Sequence, residues 1–140
     1  DGAPGVRSAR FAGLHGDDAA NNRKLLRALA DLPPSRRRAR YHCVLALASP
    51  QRLLGVVEGT WTGRIATAPR GHQGFGYDPL FLVPRLGKTV AQLPLTLKNR
   101  ISHRANAVAR MRPLLARLVI HDQASVARQT MVRRRRGRLA

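Results

Sequence analysis

The sequence predicts an α/β domain whose strands lie in the middle of the chain with helices before and after them. Leucines at helical spacing precede the middle, and a second helical apolar face follows it at 98–118. Between these two segments, short apolar runs are bounded by glycine and proline, which is typical of strands. With 140 residues, 44% of them hydrophobic, the chain has the size and composition of one ordinary folded domain.

The first part of the chain predicts a loop followed by one helix. Residues 1–16 are rich in glycine and have no sustained period. Asp17 or Asp18 can cap the helix that follows, and this capping pattern is favoured over a metal-binding carboxylate pair. Two prolines, at 33 and 34, end the helix, and the arginine run 36–40 is interpreted as a polar connection. The apolar face of this helix consists of Leu25, Leu29 and Leu32.

Four apolar segments predict the strands. The run 41–49 is short and continuously apolar, which is typical of a strand buried on both faces. Residues 53–58 and 60–66 indicate two more strands on either side of Gly59, either antiparallel or bulged, and 79–84 indicates another. Cys43 lies within the first run, so we interpret it as a small core residue rather than a nucleophile.

The last part of the chain predicts a helix and then a tail. Residues 89–93 suggest a short helical turn, and 98–118 a helix that Pro113 should kink or break. After residue 118 the apolar period weakens and the chain ends in an arginine cluster. We therefore expect a domain over residues 1–118 and an arginine-rich, disordered tail over 119–140.

The net charge is +19, from 26 Lys and Arg against 7 Asp and Glu. Such an excess favours a polyanionic partner, either a nucleic acid or a nucleotide phosphate. Only three of these cations are lysines, which favours drift in composition, and an acidic part missing from this sequence would also explain the excess; together these two explanations are favoured over a polyanionic partner. The chain has one cysteine, no apolar segment near the ~20 residues of a membrane span and no signal-like start, so we expect a cytoplasmic protein without a membrane partner.

Two segments carry residues suited to binding chemistry, "GFGYDP" at 74–79 and "KNRISHR" at 98–104. Each alone is readily explained, the first as a tight turn and the second as the basic start of a helix. Together they supply an aromatic ring that can stack on a purine, glycine amides that a ligand can approach, a carboxylate and three cationic or imidazole donors. The sequence therefore predicts a nucleotide pocket without its metal, and it contains no HxxxH, GxSxG or P-loop motif.

These segments and three others resemble the noncanonical purine nucleoside triphosphate pyrophosphatases, the Ham1-like inosine/xanthosine triphosphatase family. The others are "GAPGVRSARFAG" (2–13), "VEGTWTGRIATAPRG" (57–71) and "GKTVAQL" (87–93), and all five occur in the family's order and spacing over residues 1–118. The resemblance implies an elongated α/β fold with a long, mixed central sheet flanked by helices. It also implies a homodimer and Mg²⁺-dependent hydrolysis of ITP, dITP or XTP to the monophosphate and pyrophosphate.

The resemblance also implies roles for individual residues. Phe75 would stack on the purine, and Asp78 would accept hydrogen bonds from the base or the sugar. Arg104 would donate to the O6 acceptor of hypoxanthine or xanthine, whereas adenine presents an amino group at that position. The full set of implied substrate-binding residues is Phe75, Gly76, Tyr77, Asp78, Lys98, His103 and Arg104.

The sequence departs from the family pattern in two ways. Gln73, Gln92 and Leu97 stand where the family has a glycine, a glutamate and an acid, so charged contacts are lost. The family's phosphate loop, its metal-site glutamate and its Asp-Asp-Ser-Gly segment do not occur. We therefore expect the C-terminal portion of the fold, which carries base recognition without catalytic residues or metal ligands and is inactive alone. Two alternatives stay open: a degenerate nucleotide binder, and a basic fragment that binds RNA or DNA through its tail and Arg36–Arg38.

Overall fold

A four-stranded sheet in the order β1-β2-β3-β4 organises the molecule, and all three strand pairings are antiparallel. The structure is a computed structural model that describes residues 2–118. The strands are β1 (Arg38–Ala48), β2 (Leu53–Ile65), β3 (Phe81–Val83) and β4 (Lys88–Thr89). The helices are α1 (Asp18–Ala28), α2 (Leu95–Ile101) and α3 (residues 103–118), with 3₁₀ turns at Gly5–Arg10, Pro34–Arg36, Pro84–Leu86 and Val90–Gln92. The predicted tail, 119–140, lies outside the described residues.

The strands β1 and β2 form a long hairpin that differs from its prediction in three respects. Burial along β1 alternates between half-buried and exposed residues, so the prediction of a strand buried on both faces is wrong. Cys43 is accordingly only half-buried, opposite Gly59. The two strands predicted around Gly59 are one continuous strand, and β1 begins at Arg38, inside the run interpreted as a connection. The alternation of arginine with Ala39 and Tyr41 fits the two-residue period of a strand with one covered face.

Gly59 allows the hairpin to lie directly against the beginning of α3. A Cβ atom at Gly59 would overlap the carbonyl oxygen of His103 and the backbone of Ala107. A larger residue would therefore push the strand away from the helix. This close approach fixes the position of residues 103 and 104 relative to the sheet.

The helix α1 begins as the sequence predicts. The side chain of Asp17 accepts a hydrogen bond from the Ala20 amide at 2.9 Å, which satisfies one of the free amides of the first turn. The helix ends at Ala28, before the prolines. Beyond it, the buried guanidinium of Arg37 donates to the carbonyls of Leu32 and Ala66, which ties the end of this segment to the end of β2.

The C-terminal helix breaks at a different residue from the one predicted. The chain is helical through Pro113 to residue 118, and the break lies at Ser102, between α2 and α3. Ser102 caps the new helix, because its hydroxyl accepts from the Ala105 amide at 3.2 Å. The predicted turn at 89–93 is confirmed as a 3₁₀ turn, in which Thr89 and Gln92 form a capping box.

The core lies where β2, β3 and the following turn meet α1 and α2. It is built from large apolar side chains, with the half-buried Tyr41 and Leu97 packed against it. Its buried members are Leu25, Trp61, Ile65, Leu80, Phe81, Val83, Val90 and Leu93. Within residues 2–118, no helix has the length and apolar character needed to cross a membrane. The predicted α/β class, a sheet flanked by helices, is confirmed.

Candidate functional site

The structure brings the two predicted binding segments together around the ring of Phe75. The Lys98 Nζ atom lies 4.9 Å from the ring centroid, and the Arg104 Cζ atom lies 5.2 Å from it. Both cations are within the distance at which the ring quadrupole attracts positive charge. The Phe75 side chain is nevertheless 63% exposed, so a large part of the aromatic surface is open to solvent.

A buried ion pair lies beneath this ring. Asp78 is 4% exposed and Lys98 is 7% exposed, and the Lys98 ammonium donates to the Asp78 Oδ2 atom. The same oxygen accepts from the Phe75 amide at 3.0 Å, and the Asp78 Oδ1 atom accepts from the Tyr41 hydroxyl at 3.3 Å. Three donors from separate segments therefore converge on one carboxylate.

These contacts give Asp78 a definite structural role. A carboxylate offers about four acceptor positions, and three of those on Asp78 are already used within the described residues. The carboxylate fixes the amide of Phe75 and the ammonium of Lys98 relative to each other. That Asp78 also accepts from a base or a sugar stays a prediction.

His103 belongs to a column of three rings. Its ring stacks on Tyr41 with a centroid distance of 4.8 Å, and Tyr41 stacks on Phe81 at 4.2 Å. Burial, and after it the positive charge of Arg104, lowers the pKa of His103, which favours the neutral imidazole. Its Nδ1 atom is buried and has no hydrogen-bond partner among residues 2–118. The imidazole thus retains a polar atom that a ligand or a neighbouring group can satisfy.

Tyr41 is a site residue that the sequence reasoning missed. Its hydroxyl binds Asp78 and its ring supports His103, although it is 37 residues from Asp78 along the chain. Burial and then the carboxylate of Asp78 raise the pKa of Tyr41, which keeps the phenol protonated as a donor. The available signal was the inward position of Tyr41 in the alternating pattern of β1.

The N-terminal segment holds the other side of the glycine-aromatic loop. The Gly76 amide donates to the Asp18 Oδ2 atom at 2.6 Å, and the Asn22 Nδ2 atom donates to the Gly76 carbonyl at 2.9 Å. The Tyr77 hydroxyl donates to the Ser8 carbonyl at 2.8 Å. Burial and the nearby Asp18 raise the pKa of Tyr77. Gly76 and Tyr77 thus lie beside Phe75 but are engaged with the chain's own N-terminal segment.

Gly74 is required by the close approach of the loop to Asp78. Its φ angle is +84°, and a Cβ atom there would overlap the Asp78 carboxylate. Gly76 also has a positive φ angle, +59°, but a Cβ atom there would meet nothing within 4 Å. Gly74 is therefore needed both because a side chain would overlap Asp78 and because its φ angle is positive. Gly76 is needed only for its positive φ angle.

The three departures from the family pattern occupy structural positions. The Gln92 side chain accepts from the Thr89 amide at 2.9 Å, and the Gln73 amide donates to the Ala91 carbonyl at 3.0 Å. Leu97 packs against the core. The Gln92 side chain therefore supports a turn, Leu97 contributes to the core, and the Gln73 contact is made by the backbone alone.

The described residues do not fit a magnesium site. No group of three His, Cys, Asp or Glu residues within 2–118 lies close enough together to share a metal ion. The carboxylate of Asp78 is bound to Lys98, that of Asp17 caps α1, and that of Asp18 binds Gly76. Since Mg²⁺ prefers several oxygen ligands, we assign no step to a metal held by these residues.

The model of the Ham1 family matches residues 1–114. The chain belongs to the Ham1 family. A dITP/XTP pyrophosphatase of Rhodopirellula baltica is 51% identical over 125 residues, which are 89% of this chain and 60% of the relative. One of Listeria monocytogenes serotype 4b is 50% identical over 119 residues, 85% of this chain and 59% of the relative. The chain thus spans about 60% of the length of these relatives.

Solved structures agree with the family assignment. The Ham1 protein of Staphylococcus aureus superimposes with a TM-score of 0.78 at 44% identity, over 83% of this chain and 59% of that one. A HAM1 protein from Coxiella burnetii gives a TM-score of 0.74 at 44% identity, over 82% of this chain and 59% of that one. The α/β fold implied by the resemblance, a sheet flanked by helices as in Ham1 proteins, is therefore confirmed. The strand pairings within residues 2–118 are all antiparallel, so the mixed pairing that the resemblance implies is not seen among them.

Proposed function

We propose that this chain supplies the purine-recognition side chains of a hydrolase that converts ITP, dITP or XTP to the monophosphate and pyrophosphate. The relatives named dITP/XTP pyrophosphatase support this reaction. The observation that carries the assignment of the site is the exposed Phe75 ring beside two cations, one buried and one exposed.

Phe75 provides the stacking surface for the base. The exposed part of the ring is apolar surface that a bound base would remove from water, and such burial is favourable. A purine placed on the ring would cover this surface and gain about 1–3 kcal/mol, as bases do on aromatic side chains. This contribution is independent of which purine is bound.

Arg104 provides the discrimination between purines. It is exposed, and none of its hydrogen-bond donors contacts a carboxylate in the described part of the chain. Beside a stacked base, its guanidinium can donate to the O6 atom of hypoxanthine or xanthine. Adenine presents an amino donor there, and an unpaired donor costs about 1–3 kcal/mol.

The test is nucleotide binding by the 140-residue chain, measured calorimetrically with ITP, dITP, XTP and ATP. Arg104→Ala should weaken ITP binding about tenfold to a hundredfold and leave ATP binding nearly unchanged, since it removes a donor that only 6-keto bases use. Arg100→Ala removes a neighbouring exposed arginine and serves as the matched control. If Arg104→Ala weakened ITP and ATP equally, Arg104 would bind phosphate or support the fold, and the proposed base selection would be wrong.

One structural feature favours a second candidate function, non-specific nucleic-acid binding. Arg38 lies directly opposite Arg64 in the hairpin, and Arg40 follows on the same exposed face. Such a cluster of like charges is unfavourable unless a polyanion covers it. Affinity for single-stranded RNA should then fall steeply with salt, and replacing Arg38 and Arg64 together by alanine should reduce this slope while Arg104→Ala leaves it unchanged. Equal slopes in all three proteins would exclude this surface.

A further inference from the structure

We propose that Asp18 and Asn22 are positioning residues that hold the Phe75 ring in its binding orientation, an inference that rests on the proposed function of Phe75. The two residues are four apart on α1 and therefore lie on the same face of the helix. Asp18 accepts from the Gly76 N–H, and Asn22 donates to the Gly76 C=O. One helix face thus holds both polar groups of the residue next to Phe75.

Asp18 does not serve the helix in the way its neighbour does. Asp17 caps α1 through the Ala20 amide, whereas the Asp18 carboxylate binds a backbone amide 58 residues further along the chain. A charged acceptor makes a stronger hydrogen bond to an amide than a neutral one. Two adjacent aspartates therefore have separate roles, one within the helix and one across the structure.

The orientation of the Asn22 side chain is set by the same contact. Its Nδ2 atom faces the Gly76 carbonyl, and its Oδ1 atom is buried without a hydrogen-bond partner among the described residues. Rotating the amide by half a turn would place two oxygens against each other and lose the bond. The hydrogen bond to the Gly76 carbonyl therefore fixes the orientation of the Asn22 side-chain amide.

Phe75 depends on its backbone anchors because its ring lies outside the core and is largely exposed. The ring is 63% exposed, and Gly76 itself has no side chain to pack. On one side the Phe75 amide is fixed by Asp78, and on the other the Gly76 peptide is fixed by Asp18 and Asn22. Removing the second anchor would free the φ and ψ angles that determine where the ring points.

The proposal is tested by amide hydrogen exchange at Gly76 together with ITP binding. Asp18→Ala should accelerate Gly76 exchange about tenfold or more and weaken ITP binding, because the amide loses its charged acceptor. Asp18→Asn keeps an acceptor oxygen and should restore most of the protection and the affinity. Asn22→Ala should act in the same direction as Asp18→Ala through the Gly76 carbonyl. Asp17→Ala is the matched control, since it weakens the same helix start without touching Gly76.

Two measurements without nucleotide, Gly76 amide exchange and the fluorine signal of Phe75, test the positioning role separately from ITP binding. Fluorine NMR of the chain labelled with fluorophenylalanine reports the Phe75 environment without nucleotide, and three phenylalanines make its signal easy to assign. If the chain did not bind ITP, but Asp18→Ala still changed Gly76 exchange and the Phe75 signal, the positioning role would hold and the proposed ligand would be wrong. The inference is overturned if Asp18→Ala leaves both readouts unchanged, or if Asp17→Ala changes them equally.

Discussion

The two cations beside the Phe75 ring differ in what they have already bound. Lys98 is 7% exposed and its ammonium is bonded to Asp78, whereas Arg104 is exposed to solvent. Their distances from the ring are nearly the same, 4.9 and 5.2 Å. Charge near an aromatic ring therefore has two uses here: Lys98 holds the loop, and Arg104 remains available to a ligand.

This difference divides the candidate site into a floor and a rim. The floor consists of Tyr41, Asp78, Lys98 and His103, and the rim of Phe75 and Arg104. The floor is fixed by hydrogen bonds and ring stacking before any ligand arrives. Such preorganisation lowers the entropy cost of binding. Substitutions in the floor should therefore reduce stability, and substitutions in the rim should reduce binding.

The largest effect is expected from breaking the floor at Asp78. Asp78→Ala leaves the buried Lys98 ammonium without its partner, and such a change typically costs about 3–5 kcal/mol of unfolding free energy. Lys98→Met should cost less, because Asp78 keeps the Tyr41 hydroxyl and the Phe75 amide as donors. Urea denaturation of the chain and both variants measures the difference. A larger loss for Lys98→Met would show that the ammonium, rather than the carboxylate, organises the floor.

The next effect distinguishes two glycines in the same loop. Gly74→Ala should destabilise the chain by at least about 2 kcal/mol, because left-handed backbone costs an alanine roughly 1–2 kcal/mol and its Cβ would also overlap Asp78. Gly76→Ala meets open space and should cost only the conformational part, about 1–2 kcal/mol. Thermal and urea unfolding of the two variants provide the comparison. Equal losses would mean that the Asp78 carboxylate moves aside without cost.

The sequence predicts both residues of the rim and three of the floor, Asp78, Lys98 and His103, but it does not predict the long-range contacts that hold them in place. The motifs around Phe75 and Arg104 are short and local, so their resemblance to a family sufficed to place them in one site. Tyr41 reaches Asp78 across 37 residues and Asp18 reaches Gly76 across 58. Contacts of such range leave no trace in local periodicity, and a single sequence does not reveal them.

The wrong predictions for β1 and for the C-terminal helix have a common physical origin, because both depend on tertiary contacts. The apolar run of β1 was predicted to be buried on both faces because local composition does not show how many layers cover a sheet. The helix break was placed at Pro113, whereas the chain breaks at Ser102, whose side chain caps the next helix. A serine is a weaker sequence signal than a proline, and the first turn of α3 that follows it lies directly against Gly59, a tertiary contact that local sequence does not show.

Substitutions in the rim should change nucleotide binding but not the unfolding free energy. Phe75→Ala should weaken ITP and ATP binding alike by about 1–3 kcal/mol, since stacking does not depend on the identity of the base. Its effect on unfolding free energy should be below about 1 kcal/mol, because surface substitutions outside the core are usually tolerated. Phe75→Tyr retains the ring and is the matched control for binding. A large loss of stability in Phe75→Ala would place this ring in the floor.

The smallest expected effect is a pH dependence of the unfolding free energy, which arises from His103 in the floor and the positive charge of Arg104 in the rim. Burial, and then Arg104, lowers the pKa of His103 below its ordinary value of 6.5, while Asp78 opposes this shift. The unfolded chain therefore binds a proton more readily, so the stability contributed by neutral His103 is complete above pH 6.5 and is lost as the pH falls towards the lowered pKa.

The loss is bounded by one proton, or about 1.4 kcal/mol for each pH unit. Arg104→Gln should raise the pKa of His103, because it removes a positive charge from beside the imidazole, and should thereby reduce the loss at acid pH. Proton NMR titration of the histidines and urea denaturation between pH 5 and pH 8, as a range spanning the ordinary histidine pKa, measure both effects. His72→Gln removes an exposed histidine and controls for general acid sensitivity. A His103 pKa unchanged in Arg104→Gln would show that Arg104 does not contribute to the shift and that the rim arginine is electrostatically independent of the imidazole in the floor.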